Sequence, residues 1–234
     1  MKTLAKKIVR NAFRTQGFDL VKAPNLHTFL GSREVDLVVD VGANNGGYGS
    51  YLRRWGYNGE ILSFEPTSNA YAELLSVTKK DQNWNPVKCA LGCRAGEAVI
   101  NVSADSRFSS FHALSADGIA YDPKAAVQRE ELVDVITLDD YVRASNCKRP
   151  FLKIDTQGAE RDVLDGASEF LRRCVGVQLE LPIQQLYVGV WSFREALAYM
   201  EERGFILAQA VPTNPRHDDP ASVCEFDCVF RPIG

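Results

Sequence analysis

The chain lacks a long apolar run, an excess of basic charge and a cysteine pattern typical of metal binding. Its 234 residues carry a formal net charge of -3, which argues against sequence-independent binding of nucleic acid through a basic surface. No apolar stretch approaches the length of a membrane span, and the first ten residues lack the apolar core of a signal peptide. We therefore expect a cytoplasmic protein without a membrane span.

The six cysteines do not form a recognisable ligand set. Cys89 and Cys93 lie close in sequence, as do Cys224 and Cys228, but neither pair is accompanied by a second pair of Cys or His. A zinc site is therefore not expected. A chain of this size without a secretion signal does not depend on disulfides, so we expect mostly buried, reduced thiols.

The order of apolar segments predicts an α/β fold. With 45% hydrophobic and 24% charged residues, the chain suffices for one large domain, placed at 35–234 behind an N-terminal helical extension at 1–34. From residue 35 onward, strand-like segments alternate with segments of helical periodicity, as in a doubly wound, mostly parallel sheet. We place strands at 36–41, 60–65, 86–90, 151–155 and 175–180, and helices at 45–55, 68–79, 160–172 and 192–204.

Two regions depart from this alternation. Residues 205–211 and 224–231 are strand-like with no helix between them, which predicts an antiparallel hairpin at the C-terminal end of the sheet. Residues 94–135 form a longer connection with strand-like pieces at 98–103 and 132–137. A long insertion beside a ligand site is a candidate lid or substrate loop.

A glycine-rich turn follows the first predicted strand, at residues 40–47 (DVGANNGG). A strand, such a turn and a helix place backbone N–H groups and the positive end of a helix dipole at a ligand that lies across the strand ends. Asn44 stands where the second glycine of the dinucleotide fingerprint belongs, which argues against a pyrophosphate pressed onto the backbone. The turn therefore favours a cofactor without phosphates.

An acid ends the second predicted strand. Glu65 lies where it can accept hydrogen bonds from both ribose hydroxyls of an adenosine moiety. Taken alone, it is more simply an acid at the start of the next helix, which Thr67 or Ser68 can cap. The turn and Glu65 together favour the ribose role.

Six phrases resemble one enzyme family. They are DVGAN at 40–44, FEP at 64–66, TLDD at 137–140, LKIDTQGAE at 152–160, VLxG at 163–166 and EFDxVF at 225–230. In this order they resemble the FkbM family of class I S-adenosylmethionine-dependent methyltransferases over roughly residues 36–231. Gln157 is a departure, because many members of the family carry an acid before this glycine.

The resemblance implies a Rossmann-like seven-stranded sheet and O-methylation of a hydroxyl on a sugar, glycolipid or secondary metabolite. The acceptor is then a small molecule or a glycan and not a nucleic acid; a homodimer is left open. The adenine is expected near 89–92. The cofactor-binding candidates are Asp40, Gly42, Asn44, Asn45, Gly46, Glu65, Pro66, Ala90, Leu91, Ser109, Ser110 and Asp155.

Methyl transfer to a hydroxyl requires in-line approach and removal of the hydroxyl proton. Asp155 and Glu180 end the fourth and fifth predicted strands at the cofactor crevice, and His112 lies in the insertion. Asp155 is the favoured base, although it is also placed to cap the next helix. Glu180 is as readily a structural hydrogen-bond acceptor as part of the active-site wall. A single histidine in a loop, such as His112, more often neither acts as a base nor binds the acceptor. A divalent metal on Asp155 and Glu180 is the less favoured alternative, because two separated carboxylates are not a ligand cluster.

Three other functions remain as alternatives. One is a protein that binds the cofactor without turnover. The presence of Asp155 argues against it, because such a protein would be expected to have lost this residue. A nucleic-acid methyltransferase would need an Asn-Pro-Pro-Tyr-like turn after the fourth strand, where residues 155–158 are DTQG. An NAD-dependent oxidoreductase is disfavoured by the missing second glycine.

Overall fold

The computed structural model of the protein describes residues 11–16, 25–142, 147–215, 219 and 221–234. Its strands are β1 (Leu37–Val41), β2 (Glu60–Phe64), β3 (Trp84–Val87), β4 (Ala90–Leu91), β5 (Gly96–Ser103), β6 (Val127–Ile136), β7 (Pro150–Ile154), β8 (Gly176–Pro182), β9 (Phe205–Pro215) and β10 (Val223–Pro232). From residue 25 onward, the α-helices are α1 (Leu26–Ser32), α2 (Gly47–Arg54), α3 (Ser68–Thr78), α4 (Ala116–Tyr121), α5 (Leu138–Tyr141), α6 (Glu160–Asp165), α7 (Ser168–Leu171) and α8 (Phe193–Glu202).

Seven strands form one sheet in the order β3-β2-β1-β7-β8-β10-β9. The first five strands of this order are parallel, and β10 is antiparallel to both β8 and β9. This confirms the expected doubly wound, mostly parallel sheet with a C-terminal antiparallel hairpin. The strand order reverses between β1 and β7, and in open α/β sheets ligands bind outside the carboxyl ends of the strands at this point.

The two central strands, β1 and β7, are buried along their whole length. Val39 packs in one apolar cluster and Val38 in another, because successive side chains of a strand point to opposite faces of the sheet. Both faces are therefore covered, which explains why these strands are continuously apolar and do not alternate.

The expected single strand at 86–90 is wrong, because the chain forms two short strands in different sheets. β3 follows β2 as far as Val87, which lies opposite Phe64 at the end of β2. Ala90 pairs instead with Val135 of β6. The chain leaves the main sheet here since β2 offers no partner beyond Phe64.

The insertion at 94–135 is built on an antiparallel hairpin of β5 and β6, in the place of both expected strand-like pieces. With β4, the hairpin forms a second sheet in the order β4-β6-β5. Helix α4 and two 3-10 helices, Ser106–Phe108 and Pro123–Ala125, lie between the two long strands.

The expected single helix at 160–172 is also wrong, because α6 and α7 are separated. Gly166 lies at the break, and a Cβ there would lie 2.0 Å from the carbonyl oxygen of Gly92. The carboxylate of Asp139 accepts hydrogen bonds from the N–H groups of Glu169 (2.9 Å) and Phe170 (2.8 Å) at the start of α7. An acid at this position satisfies free N–H groups of the second helix and favours a new helix start.

The capping box before α8 is confirmed. The side chain of Ser192 accepts a hydrogen bond from the N–H of Glu195, whose carboxylate accepts one from the N–H of Ser192 at 2.7 Å. Strand β9 continues to Pro215, past its expected end at residue 211. It accommodates Pro212 because β9 is an edge strand of the sheet.

Most of the expected N-terminal helical extension lies outside the described residues. Of residues 1–34, the structure describes 11–16, where 11–14 are helical, and 25–34, which contain α1. Phe29 and Leu30 of α1 are buried with Val38 of β1. Among the described residues, no helix is both long enough and apolar enough to cross a membrane.

The turn after β1 passes very close to the end of β7. Gly42 has a φ of +72°, and a Cβ there would lie 1.9 Å from the carbonyl oxygen of Asp155. The N–H groups of Gly42 and Ala43 both donate to the carbonyl oxygen of Phe64, at 3.1 and 3.0 Å. The turn is thus fixed between the ends of β2 and β7, and only glycine fits at position 42.

We expect Gly42→Ala to lower the free energy of unfolding by more than about 3 kcal/mol, because the new methyl group overlaps backbone and φ is positive. Urea denaturation measures this difference. The matched control is Gly31→Ala in α1, where a Cβ meets no atom within 4 Å and φ is ordinary. That variant should be neutral or more stable by up to about 1 kcal/mol, and equal losses in the two variants would contradict the close-approach explanation.

Candidate active site

Glu65 connects the glycine turn to the start of α3. Its Oε2 accepts a hydrogen bond from the N–H of Asn44 at 2.9 Å, and its Oε1 accepts from the N–H and hydroxyl of Thr67 at 2.9 and 2.6 Å. Burial raises the pKa of Glu65, and the Thr67 and Asn44 hydrogen bonds oppose that shift. The helix-start role weighed from the sequence is therefore present in the structure, while the ribose role remains a prediction.

A buried ion pair lies beneath the turn. Nζ of Lys153 on β7 lies 3.0 Å from Oδ1 of Asp40 on β1 and 3.2 Å from the carbonyl oxygen of Gly42. Burial alone would lower the pKa of Lys153, but the carboxylates of Asp40 and Asp155 outweigh burial and raise it. Asp40 is fully buried and is connected to the turn through Lys153.

A cavity of about 500 Å³ opens at the carboxyl ends of the parallel strands. Its volume lies in the range of small-molecule sites. The residues predicted from the sequence that line it are Gly42, Asn44, Asn45, Glu65, Pro66, Ala90, Leu91, Ser109, Asp155 and Glu180. The cavity thus brings together most of the cofactor candidates and two of the three catalytic candidates.

Four predicted residues do not line this cavity. Asp40 lies beneath the turn, and Gly46 is the N-cap of α2. The hydroxyl of Ser110 donates to the carbonyl oxygen of Gln157 at 2.6 Å. His112 lies beside the turn that follows β7. Ser110 and His112 therefore join the insertion to the main sheet.

A pair of carboxylates stands at one end of the cavity. Nε2 of Gln157 lies 2.8 Å from Oδ1 of Asp155 and 2.8 Å from Oε2 of Glu180, so one amide group joins the ends of β7 and β8. Burial, and then the negative charge of Asp155, raise the pKa of Glu180 well above its usual range. The negative charge of Asp155 therefore favours the protonated form of Glu180.

Two further cavity residues at this end escaped the sequence analysis, Glu225 and Asn214. Nδ2 of Asn214 on β9 lies 2.6 Å from Oε2 of Glu225 on β10, and burial raises the pKa of Glu225 to about 7. Asp227, opposite Glu180 in the strand register, also has a pKa raised by burial. The phrase EFDxVF at 225–230 contains both acids, but their position depends on strand pairing that spacing alone does not give.

The insertion forms the opposite wall of the cavity. The hydroxyl of Ser106 donates to Oδ1 of Asn44 in the glycine turn at 2.9 Å. Three apolar side chains of the insertion, Ile100, Phe108 and Phe111, line the cavity, and Ile100 and Phe111 pack with Ala90. The insertion thus lies beside this cavity, and its role as a lid or substrate loop stays a prediction; its contact through Ser106 was not predicted.

The described residues contain no group of three or more His, Cys, Asp and Glu arranged to bind a metal ion. The carboxylates of Asp155 and Glu180 are instead joined by the amide of Gln157.

The sheet order, the glycine turn and the cavity at the strand ends are those of a Rossmann-like, doubly wound α/β fold. The chain belongs to the FkbM methyltransferase family, since the family model for the methyltransferase FkbM domain matches residues 40–207. The match includes the glycine turn, Glu65 and the carboxylate pair, but not β10 with Glu225. No curated protein has a sequence that matches this one.

Solved structures with a similar fold include three methyltransferases. Fibrillarin from Aeropyrum pernix, with natively bound S-adenosyl-L-methionine, is 10% identical with a TM-score of 0.47, over 83% of this chain and 66% of the fibrillarin chain. An rRNA methylase from Streptococcus thermophilus is 12% identical with a TM-score of 0.48, over 92% and 100% of the two chains. Precorrin-6y C5,15-methyltransferase from Geobacter metallireducens is 12% identical with a TM-score of 0.47, over 92% and 91%. At this distance they indicate nothing about the substrate.

Stability should fall as the pH rises from about 5 to about 7, because Glu225 binds its proton more tightly in the folded protein than in the unfolded chain. An acid with a raised folded pKa contributes stability below its unfolded pKa and loses it as the pH passes the folded value. Glu180 acts in the same direction. Urea denaturation at several pH values should therefore show a negative slope that Glu225→Gln reduces.

The matched control for this pH dependence is Glu130→Gln, which changes an exposed acid on β6. It should leave the slope as in the parent protein. A slope that Glu225→Gln does not alter would show that Glu225 titrates alike in the folded and unfolded states.

Proposed function

We propose that this methyltransferase transfers the methyl group of S-adenosylmethionine to a hydroxyl group of a sugar, glycolipid or secondary metabolite. The observation that carries the proposal is the joined pair Asp155 and Glu180, which lines the same cavity as the glycine turn and Glu65. A hydroxyl acceptor needs a proton acceptor beside the cofactor, and the pair is suited to this task.

The glycine-turn end of the cavity fits an adenosyl cofactor. Glu65 supplies carboxylate oxygens for the ribose hydroxyls, and the residues from Asn44 to Gly47 supply the backbone at the start of α2. Ala90, Leu91 and the apolar side chains of the insertion offer a flat, dry site for the adenine ring. When bound, S-adenosylmethionine supplies an electrophilic methyl group on its sulfonium sulfur.

The carboxylate end of the cavity favours an acceptor rich in hydroxyl groups. Asp155, Glu180 and Glu225 accept hydrogen bonds there, and the amides of Gln157 and Asn214 stand between them. Phosphate groups would be repelled by the same carboxylates. This supports a small molecule or glycan over a nucleic acid, in agreement with the net charge of -3.

The chemistry assigned to the chain is proton removal and positioning. Asp155 and Glu180 together would take the proton of the acceptor hydroxyl as its oxygen bonds to the methyl carbon and the bond between that carbon and the sulfonium sulfur breaks, with S-adenosylhomocysteine as the leaving group. Ile100, Phe108 and Phe111 exclude water from the cofactor side, which strengthens each electrostatic interaction in the cavity. His112 is not needed for this step, and a divalent metal is not favoured.

Glu65→Gln should weaken the binding of S-adenosylmethionine about tenfold or more, because a charged acceptor of ribose hydrogen bonds is lost. Isothermal titration of the variant and the parent protein measures this change. NAD, titrated separately, should not bind. The control is Glu60→Gln, which alters an exposed acid at the start of β2. Equal affinity in Glu65→Gln and parent would exclude the ribose role.

The reaction itself is tested with S-adenosylmethionine labelled in its methyl group and a panel of glycans, glycolipids, polyols and RNA. Label should appear on a hydroxyl-bearing acceptor and resist alkali, because methyl ethers are stable where methyl esters are hydrolysed. Asp155→Asn should then lower turnover about 100-fold or more with little change in cofactor affinity. Asp134→Asn, an exposed acid on β6, is the control.

Two outcomes would contradict the proposed reaction. Label on RNA alone would assign the protein to nucleic-acid methylation. Turnover of Asp155→Asn equal to that of Asp134→Asn would remove Asp155 from the reaction.

A further inference from the structure

Gln157 stands at the centre of a hydrogen-bond network that joins three separate segments. Its Nε2 contacts the carboxylates of Asp155 and Glu180, both at 2.8 Å. Its Oε1 lies 3.1 Å from the hydroxyl of Tyr187, in the loop after β8. Its backbone carbonyl accepts the hydroxyl of Ser110 from the insertion at 2.6 Å.

These contacts allow one orientation of the amide. The two N–H donors of Nε2 match two carboxylate acceptors, and the hydroxyl of Tyr187 matches the carbonyl end. The reverse orientation would direct Oε1 at two carboxylates, so the carboxylates decide the orientation. The hydroxyl of Tyr187 lies 3.1 Å from the carbonyl oxygen of Phe108 as well as from Oε1 of Gln157. Gln157 also adopts a φ of +56°, which the contacts on both sides of the residue sustain.

We propose that Gln157 is a positioning residue that holds Asp155 and Glu180 as one hydrogen-bonded unit on the cavity wall, and that Tyr187 supports the amide from its carbonyl end. The proposal rests on the proposed function for the use of this unit as proton acceptor. The geometry of the unit itself is independent of any acceptor.

The hydrogen bonds have an electrostatic consequence. Each N–H donated to a carboxylate favours the charged form, so the amide opposes the rise in pKa that burial and mutual repulsion cause at Glu180. An acid in place of Gln157 would remove both donors and add a negative charge. The glutamine therefore favours the charged form of Glu180 more than an acid at this position would.

The surroundings of the unit are mostly acidic. Lys153 is the facing cation, 3.6 Å from Oδ2 of Asp155, and it is already engaged with Asp40. The other titratable groups that face the unit come from β10, α6, α4, the segment before α4 and the loop after β8. They are Glu225, Asp227, Glu160, Tyr121, His112 and Tyr187.

The test follows the titration of Glu180 directly, by NMR of the carboxyl carbons in protein labelled with 13C glutamate and aspartate, with Glu180→Gln to assign the signal. Gln157→Glu should move the Glu180 titration upward by about one pH unit or more, because donors are replaced by charge. Gln157→Met, of similar length, should give a smaller upward shift. Gln128→Glu, at an exposed position of β6, should give none.

Tyr187→Phe tests the contact at the carbonyl end of the amide and leaves the backbone of residue 157 untouched. It should shift the Glu180 titration upward less than Gln157→Met does. Combined with Gln157→Met it should add nothing, because Tyr187 acts through the amide. This variant keeps the test decisive if a substitution at residue 157 does not fold.

A Glu180 titration that is the same in Gln157→Met and Tyr187→Phe as in the parent protein would overturn the proposal. If the Glu180 titration in the double variant shifted by the sum of the two single-variant shifts, the role of Tyr187 would also be overturned. The titration needs no acceptor, so absence of methyl transfer by the parent protein would count against the proposed reaction and leave this result intact. Isothermal titration with S-adenosylmethionine shows that each variant keeps its cofactor site.

Discussion

The buried ion pair between Asp40 and Lys153 is the interaction on which the rest of the site depends. It joins the ends of β1 and β7 where the strand order reverses, and the same ammonium holds the carbonyl oxygen of Gly42. A buried charge that loses its partner costs several kcal/mol, so neither residue can be changed alone. Lys153 also faces Asp155, so the ion pair beneath the glycine turn contributes to the charge balance at the carboxylate end of the cavity.

The insertion completes a cavity that the main sheet leaves open. Ser106 contacts the cofactor turn through Asn44, and Ser110 contacts the turn after β7 through Gln157. These two serines lie on one short segment but reach the two ends of the cavity. The position of the insertion is therefore linked to both ends, and a shift of this segment would alter the acceptor end as well as the cofactor end.

The sequence predicts the sheet, the glycine turn and the acids at the strand ends, because continuous apolar runs and glycine spacing are local signals. It does not predict where β3 ends, since that depends on the length of β2, or the helix break at Gly166, since that depends on the approach of Gly92. The sequence does not predict the position of Glu225 either, because it depends on contacts between distant segments. Its place beside the Asp155–Glu180 pair arises from the pairing of β10 with β8.

The two ends of the cavity differ in what substitution can change. The cofactor end is formed largely by backbone, in a turn where Gly42 admits no side chain and Glu65 holds Asn44 and Thr67. The acceptor end is formed by side chains from β7, β8, β9 and β10 that contact one another through amides. A change at Asn214 or Gln157 alters the acceptor wall and leaves the turn in place. The carboxylate end can therefore change by substitution of side chains alone, whereas the glycine-turn end depends on the path of the backbone.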